Sequence, residues 1–91
     1  YVFGEAEMGG KVAVISDFRL HHNEDGSLAP FDIYYERLAK VALHEVAHTL
    51  SAYHCDDPAC LMHFCPKVTH LDRQRLLFCP RCEYALRSTL R

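Results

Sequence analysis

Two short apolar runs near the start of the chain predict a pair of β-strands. Residues 2–6 read Val-Phe-Gly-Glu-Ala, a short strand in which the glycine indicates a sheet edge or a bulge. Gly9 and Gly10 predict the turn that follows. Residues 12–15 are apolar on both faces, so we expect an interior strand that pairs in parallel with its neighbour.

A polar loop at residues 21–29 leads into a long predicted helix. Pro30 suits the first turn of a helix, and residues 31–50 contain no glycine or proline that would interrupt it. One stripe at helical spacing is apolar and should pack on the sheet: Leu43, Val46, Ala47 and Leu50. A second stripe beside it is polar and should face a cleft: His44, Glu45 and His48.

The rest of the chain carries weaker signals. Residues 55–78 predict a loop region with one helical turn near residues 71–76. Pro80 then predicts the start of a short C-terminal helix. We therefore expect an α/β (α+β) fold in which a twisted sheet packs on the long helix.

Length and charge narrow the class of protein. The chain has 91 residues, enough for one domain at most, and 49% of them are hydrophobic, as is typical of a globular chain. A formal net charge of −2 argues against a phosphate backbone as the main partner. No apolar run has the roughly 20 residues of a membrane span, and no signal peptide is visible. Because Tyr1 falls within a predicted strand, we interpret the chain as the C-terminal part of a longer domain whose N-terminal portion is missing.

The polar stripe of the long helix has the spacing of a metal site. His44 and His48 lie one helical turn apart on one face, so both imidazoles can reach a single ion at roughly 2.0–2.1 Å. Glu45 lies beside them, where a carboxylate can take a proton from a metal-bound water. Two surface histidines beside a solvated glutamate are the simpler alternative. The apolar neighbours argue against it, because a largely buried helix does not carry unpartnered polar groups cheaply.

A third imidazole, His54, follows six residues after His48. Six residues of continuous helix would carry it about 9 Å along the axis, so the chain must turn sharply near Ser51 to bring it back to the metal. Three protein ligands leave the fourth tetrahedral position open, as a catalytic zinc requires. The other histidines lack a motif and are expected on the surface or in loops, with His63 a distant candidate for contact near the site.

Five cysteines suggest a second site. Four of them stand in two close pairs, which suits a closed tetrahedral zinc site with Zn–S of about 2.3 Å: Cys55, Cys60, Cys79 and Cys82. Cys65 is left over, and we interpret it as a small apolar residue. An odd number of cysteines beside a histidine cluster favours metal thiolates in a reducing, cytoplasmic compartment. The alternatives are two disulfides with a free thiol in a secreted protein, or four unconnected buried cysteines.

The combined spacing resembles that of the archaemetzincin family of zinc peptidases. The motif reads His44-Glu45-x-x-His48-x-x-Ser51-x-x-His54-Cys55-x4-Cys60-x-Met62, and then Cys79-x-x-Cys82. Residues 3–6 and 12–16 also look like the strands that precede the active-site helix in that family.

The resemblance implies a partial metzincin-like zincin fold with two zinc ions per chain. The three imidazoles of the motif would bind a catalytic zinc, with Glu45 as general base and Met62 forming the Met-turn beneath it. The four paired cysteines would bind a structural zinc that staples the C-terminal helix. Residues 4–6 would form an antiparallel edge strand of a retained hairpin above the cleft, where an extended peptide could pair.

Two departures from the family pattern bear on activity. Ser51 occupies a glycine position at which φ is expected to be positive, and a non-glycine residue there costs about 1 kcal/mol or more. The segment between Met62 and Cys79 is one residue shorter than the family's usual spacing. Neither departure removes a ligand.

We therefore predict that residues 1–91 are the catalytic-site part of a single zinc metallopeptidase domain. It would hydrolyse peptide or protein substrates by a zinc-activated water with Glu45 as general base, as a cytoplasmic monomer without nucleic-acid or membrane partners. The alternative is a catalytically inactive, zinc-stabilised module that binds protein or nucleic acid, which Ser51 and the arginine-rich C-terminal stretch would favour. Whether cleavage is internal or removes N-terminal residues depends on the walls of the cleft.

Overall fold

The computed structural model describes residues 3–90 and has an α+β architecture. The elements in chain order are β1 (Gly4–Ala6), β2 (Ala13–Ile15), α1 (Asp17–His21), α2 (Phe31–Thr49), α3 (Val68–Arg73) and α4 (Pro80–Leu90). Helix α2 packs against both strands and against α1 and α3, so it is the central element of the fold. No helix in this range is long and apolar enough to cross a membrane.

The two strands form an antiparallel hairpin, in the register Gly4↔Ile15, Glu5↔Val14 and Ala6↔Ala13. The predicted parallel pairing of the second strand is therefore wrong, because a connection of a few residues can only join antiparallel neighbours. The prediction of an interior strand is also wrong for the described part of the chain. Val12 and Val14 are 60% and 52% exposed there. Of the short edge strand predicted at residues 2–6, the structure forms Gly4–Ala6, and Val2 lies outside the described residues.

Helix α2 begins directly after Pro30 and ends at Thr49, close to its predicted bounds. The predicted apolar stripe is only half right. Ala47 is buried and Leu50 is half-buried, but Leu43 and Val46 are largely exposed. The buried residues run from the first turn of the helix to the last and include polar ones, which an apolar pattern does not reveal: Tyr34, Arg37, Lys40, Val41, Glu45, Ala47 and His48.

Two shorter helices differ from expectation. Helix α1 was not predicted, because its five residues include only two apolar side chains, Phe18 and Leu20, and Leu20 alone is buried. Helix α3 begins at Val68, earlier than the turn predicted near residues 71–76. Helix α4 begins at Pro80 as predicted.

Within residues 3–90 buried apolar side chains form two hydrophobic clusters, one toward each end of α2. The N-terminal cluster contains Phe3, Leu20, Tyr34, Val41, Cys65, Val68 and Leu71. The C-terminal cluster contains Ala47, Cys60, Met62 and Leu86, with the other three paired cysteines at its margin. Met62 is fully buried in it, as expected for a residue beneath a site.

A buried arginine, Arg37, joins α2 to α1 and α3 by hydrogen bonds. Arg37 is 2% exposed and makes a two-point contact with Asp72 of α3, with both N–O distances at 2.8 Å. Its guanidinium also donates to the carbonyl of Leu20 and to the side chain of Asn23, at 3.1 and 2.8 Å. The planar guanidinium can donate hydrogen bonds in three directions at once. One side chain therefore joins α2 to α1, to the loop that follows α1, and to α3.

The chain leaves α2 through a left-handed residue, as the sequence predicts. Ser51 has φ of +70°, the only non-glycine residue with positive φ in the described range. Its backbone N–H donates to the carbonyl of His48 at 2.9 Å, which closes the last turn of the helix. The serine therefore performs the turn that a glycine would make with less strain.

We expect Ser51→Gly to raise the free energy of unfolding by up to about 1 kcal/mol, because it removes the left-handed strain of a residue with a Cβ. Urea titration followed by circular dichroism measures the change. Ser51→Ala is the matched control, since it keeps the Cβ and the strain and should give no gain. A glycine variant less stable than the alanine variant would contradict this account of the turn.

Candidate metal and catalytic site

Three imidazoles converge beside α2. His44 and His48 lie on one face of the helix, and their Nε2 atoms are 3.0 Å apart. Ligand atoms of His44, His48 and His54 all lie within 4.8 Å of one another. Two nitrogen ligands of a tetrahedral zinc ion would be about 3.3 Å apart. The structure therefore brings together the three imidazoles of the motif, and these three groups could hold one metal ion.

Backbone carbonyls hold two of the imidazoles in the orientation that a ligand needs. Nδ1 of His44 lies 2.7 Å from the carbonyl oxygen of Leu61, and Nδ1 of His48 lies 2.7 Å from that of Ala52. In each neutral ring Nδ1–H donates to the carbonyl, so Nε2 keeps its lone pair for a metal. The carbonyls thus select the tautomer that metal binding requires.

Burial keeps the first imidazole neutral. It lowers the pKa of His44 to about 4, against the weaker opposing effect of the hydrogen bond to Leu61. Desolvation also lowers the pKa of His54, helped by the neighbouring His48 and His63. Imidazole binds metals in its neutral form. Near neutral pH, a metal would therefore not have to displace a proton from His44 or His54.

The turn at Ser51 places His54 opposite the helix. The ring centroid of His54 lies 5.3 Å from that of His44 and 4.9 Å from that of His48. Phe64 stands on its other side, with ring centroids 5.5 Å apart. His54 is more exposed than the two helical histidines and lies at the mouth of the site.

Glu45 lies in the same cleft and is almost fully buried, with 5% of the residue exposed. Its Oε1 is 4.0 Å from Nε2 of His48. Burial raises the pKa of Glu45, while the nearby His48 acts in the opposite direction. A carboxylate with a raised pKa beside a candidate metal site is suited to accepting and returning a proton.

Strand β1 forms one wall of this cleft, which has a volume of about 350 Å³. Gly4, Glu5 and Ala6 line it together with the histidines and Glu45. Gly4 has no space for a side chain: a Cβ there would lie 2.6 Å from Oε2 of Glu45 and 2.8 Å from the carbonyl oxygen of Val14. The absence of a side chain at Gly4 therefore defines where the Glu45 carboxylate can sit.

The four paired cysteines form a second group. Their sulfur atoms lie within 4.8 Å of one another, and Sγ of Cys55 is 3.7 Å from Sγ of Cys79. Sulfur ligands of a tetrahedral zinc would be about 3.8 Å apart, whereas a disulfide bond is about 2.05 Å long. All five cysteines are free, so the alternative with two disulfides does not describe this structure.

Backbone N–H groups point at the sulfur atoms of this group. The N–H groups of Met62 and Cys79 donate to Sγ of Cys60 at 3.4 and 3.3 Å. A backbone hydrogen bond involving Cys82 lowers the pKa of Cys79 to about 7, whereas burial raises the pKa of Cys60 and of Cys82. Donors of this kind stabilise thiolates, which are the form that binds a metal.

One short loop joins the two groups. Leu61, which holds the ring of His44, stands between Cys60 and Met62. The N–H of Cys55, the residue after His54, donates to the carbonyl of Met62 at 2.9 Å. The position of two imidazoles therefore depends on how the cysteine loop is held.

Sequence reasoning missed four residues that shape the cleft. Lys40, Gln74 and Cys65 are buried and line it, and Gly4 makes room for Glu45. Gln74 donates to the carbonyls of Cys60 and His63 at 2.8 and 3.1 Å, which fixes the loop after the cysteine. Of these four, only Lys40 could have been predicted from the sequence to lie near the site, because it is one helical turn before His44 on the same face. His63 lines the cleft as the sequence suggested, with Nδ1 2.8 Å from the carbonyl of Cys55.

Comparison with known proteins gives matches along nearly the whole chain. Residues 1–88 match the family model described as Peptidase family M54. The archaemetzincin of Haloarcula marismortui is 40% identical over 86 residues, and that of Archaeoglobus fulgidus is 41% identical over 87 residues. These alignments cover 91% and 96% of this chain and 50% of each relative. The chain thus spans about half the length of the curated relatives it matches.

Solved structures give the same result for the fold. The crystal structure of an archaemetzincin from Methanopyrus kandleri superposes with a TM-score of 0.88 at 36% identity, covering 99% of this chain and 47% of that one. The archaemetzincin of Archaeoglobus fulgidus complexed with malonate gives 0.80 at 41% identity, covering 93% and 49%. A zinc-dependent peptidase from Methanocorpusculum labreanum gives 0.85 at 37%, covering 94% and 45%. The predicted fold class is confirmed.

The space at Gly4 leads to a test of how the Glu45 carboxylate is held. We expect Gly4→Ala to lower the free energy of unfolding by about 1–3 kcal/mol, the usual cost of overpacking, because the new Cβ meets Oε2 of Glu45 and a backbone oxygen. Urea titration measures this cost. In a Glu45→Ala background the cost should fall, since one of the two clashes is absent.

Gly10→Ala, made in the wild type and in the Glu45→Ala background, is the matched control for Gly4→Ala. The atoms nearest to its Cβ would belong to the side chain of Glu7, which is exposed and can move, and its φ is not positive. This variant should therefore cost little in either background. Equal costs of Gly4→Ala with and without the Glu45 side chain would show that Gly4 does not position the carboxylate.

Proposed function

The chain belongs to peptidase family M54, and from that premise we propose that it carries the metal ligands and the proton acceptor of a zinc metallopeptidase. The observation that carries the proposal is the convergence of three imidazoles within 4.8 Å, next to a buried carboxylate in one cleft. Two of the imidazoles are held at Nδ1 by backbone carbonyls, which leaves Nε2 for a metal, as expected for ligands of a catalytic zinc.

His44, His48 and His54 would hold the catalytic zinc. The donor set fits the ion, because Nε2 of both helical imidazoles is free of a backbone partner and the third ring faces them. When bound, zinc would supply Lewis acidity toward a carbonyl group and lower the pKa of a water molecule.

Glu45 would carry the proton in the reaction. Its carboxylate would accept a proton from the attacking water and later deliver it to the departing amine. Burial supports this role, since a raised pKa brings the proton affinity of Glu45 closer to that of the groups with which it exchanges. Gly4 supports it as well, by leaving the volume into which the carboxylate fits.

Strand β1 would bind the substrate. Its three residues line the same cleft as the histidines, and one of its edges is paired with β2. Among the described residues, its other edge has no strand partner. An extended peptide can therefore add to β1 by backbone hydrogen bonds, which recognise any sequence. We accordingly propose peptides or proteins as the substrates.

Cys55, Cys60, Cys79 and Cys82 would hold a second, structural zinc. Four sulfur atoms leave no position open, so this ion would stabilise the fold and take no part in the chemistry. It would join the loop after His54 to the start of α4, and its binding energy would act as folding energy. Free thiols arranged as ligands also support a reducing, cytoplasmic compartment for the protein.

The inactive alternative rested on Ser51 in place of glycine and on the arginine-rich C-terminal stretch. The first of these grounds is weakened, because Ser51 adopts the left-handed turn and leaves His54 beside the other imidazoles. The buried Glu45 further supports an active site, because a purely structural metal site has no use for that carboxylate.

Zinc content and peptide hydrolysis together test the catalytic assignment. We expect the wild-type protein to hold two zinc ions per chain, and Glu45→Gln to keep both while losing about 100- to 10,000-fold in kcat/KM. His54→Ala should lose one ion or hold it weakly. His70→Ala, an exposed histidine of α3 outside the cleft, is the control and should change neither quantity. A Glu45→Gln variant of undiminished activity would exclude Glu45 as the base.

The link between the two groups gives a second test. We expect Cys60→Ser to lower the zinc affinity of the histidine site by about 10- to 100-fold besides emptying the cysteine site, because Leu61 would no longer orient His44. Zinc titration with a competing chelator measures both affinities. Cys65→Ser is the control: its buried thiol lines the cleft but belongs to neither ligand group, so both zinc affinities should stay unchanged. If Cys60→Ser leaves the histidine site at wild-type affinity, the two sites are independent.

A further inference from the structure

Glu5 is an exposed carboxylate at the rim of the cleft. It is the middle residue of β1, and it lines the same cavity as the three imidazoles and Glu45. Among residues 3–90, no side chain forms an ion pair with it. Its charge adds to the rise that burial produces in the pKa of Glu45, which shows that it lies within electrostatic range of the site. The proposed mechanism does not use Glu5.

The hydrogen bonds of the hairpin show which backbone groups of β1 point away from β2. The N–H of Glu7 donates to the carbonyl of Val12 at 3.0 Å. Hydrogen-bonded pairs recur at every second residue of an antiparallel ladder, so the backbone of Glu5 bonds to β2 in the same way. The backbone N–H and C=O groups of Gly4 and Ala6 therefore point to the edge that has no strand partner among the described residues.

The side chain of Glu5 projects from the outer face of the hairpin. A Cβ at Gly4 would meet Glu45 of α2, and Ile15, the strand partner of Gly4, packs against the N-terminal cluster. That face of the hairpin is therefore turned toward α2. Because side chains alternate along a strand, Glu5 and its partner Val14 project from the opposite face, where Val14 is 52% exposed.

A peptide that adds to β1 in the antiparallel direction brings one of its side chains next to Glu5. Its hydrogen-bonded residues would lie opposite Gly4 and Ala6, and the residue between them would lie opposite Glu5. The Cα atoms of such a non-hydrogen-bonded pair are about 4.5 Å apart, and the two side chains share one face of the sheet. Opposite charges attract in this arrangement, and like charges repel.

We propose that Glu5 is a specificity-determining residue: it selects peptides that carry a lysine or arginine side chain at the position opposite it. This inference rests on the proposed function, in which an extended peptide adds to β1. The position lies close to the scissile bond, because Gly4, the residue before Glu5, is next to the carboxylate of Glu45. Aspartate or glutamate at the same position of the peptide would be disfavoured by like charge.

Matched peptides test the preference on the unaltered protein. N-acetylated peptides with one scissile bond would carry lysine, glutamine or glutamate at each position around that bond in turn. With zinc-loaded wild-type protein at low ionic strength, lysine at one position should raise kcat/KM about 1.5- to 5-fold over glutamine, the range of a cross-strand charge pair. Glutamate there should lower it by a similar factor, and high salt should reduce both effects. Equal rates for lysine and glutamate at every position would overturn the proposal.

Charge reversal then assigns the preference to Glu5. Glu5→Lys should reverse the order, so that the glutamate peptide is cleaved better than the lysine peptide, and Glu5→Gln should remove the difference. The two neighbouring positions of the peptide should not respond, because their side chains point to the other face. The ratio of the two peptides within each variant cancels any effect of the substitution on Glu45 that both peptides share. A lysine preference retained in Glu5→Lys would overturn the proposal.

Glu7→Lys is the matched control for the charge reversal. Glu7 is an exposed carboxylate of the same segment and does not line the cavity. The variant makes the same change in net charge, so it should keep the wild-type ratio at the position assigned to Glu5. Zinc content and circular dichroism check that each variant folds. An equal reversal by Glu7→Lys would mean that net charge sets the preference, and this would overturn the proposal.

Two further readouts identify the interaction. A charge pair away from the reacting atoms contributes equally to binding of the substrate and of the transition state, so the preference should appear in KM with kcat unchanged. A free α-amino group carries the same kind of charge as lysine, so the peptides are also compared without the acetyl group. A preference confined to kcat, or one that requires the free amino group, would overturn the proposal.

Peptide affinity separates failure of the inference from failure of its premise. Fluorescence anisotropy measures the affinity of Glu45→Gln, with and without Glu5→Lys, for the lysine and glutamate peptides. If the wild type hydrolyses neither peptide, but the lysine peptide binds more tightly and Glu5→Lys reverses the order, the proposed function fails and the selectivity stands. Hydrolysis with equal KM values and equal affinities would mean the reverse.

Discussion

Helix α2 must end abruptly, because His54 has to return to the point that His44 and His48 already face. Ser51 makes this reversal by adopting a φ of +70°, and its N–H closes the last helical turn onto His48. The carbonyl of Ala52, just beyond the turn, accepts the Nδ1 proton of His48. The same few residues therefore end the helix, orient the second imidazole and position the third, and the rest of the site is arranged around them.

The parts of the site that depend on local geometry could be predicted from the sequence. Helical period alone relates His44 to His48, and a required reversal after them places the turn at Ser51. The direction of β2 could not be predicted from its composition, because an apolar run gives no information about which strand it meets. The exposure of Leu43 and Val46 could not be predicted for a similar reason, since a stripe of apolar residues does not show which face of a helix has a packing partner.

Most of the residues that sequence patterns did not predict to be buried are polar. Charged residues are rarely buried unless they are paired, so Arg37 and Lys40 would ordinarily be assigned to the surface. Their partners, Asp72 and the carbonyl of Leu71, lie 35 and 31 residues further along the chain. A periodic pattern of residues does not reveal contacts between positions so far apart in the sequence. Gly4 is similar, because its importance comes from an atom of Glu45 on another element.

The two hydrophobic clusters at opposite ends of α2 imply that the molecule has two levels of local stability. The N-terminal cluster is held by apolar contacts and by the Arg37 network, which need no metal. The C-terminal cluster has four buried members among the described residues and is bordered by cysteines, so an ion held by those thiols, as we propose, would add to its order. Loss of the proposed ion should let α4 and the end of α2 open as one cooperative unit while the remainder stays folded. Amide hydrogen exchange would then differ between the two ends of a single continuous helix.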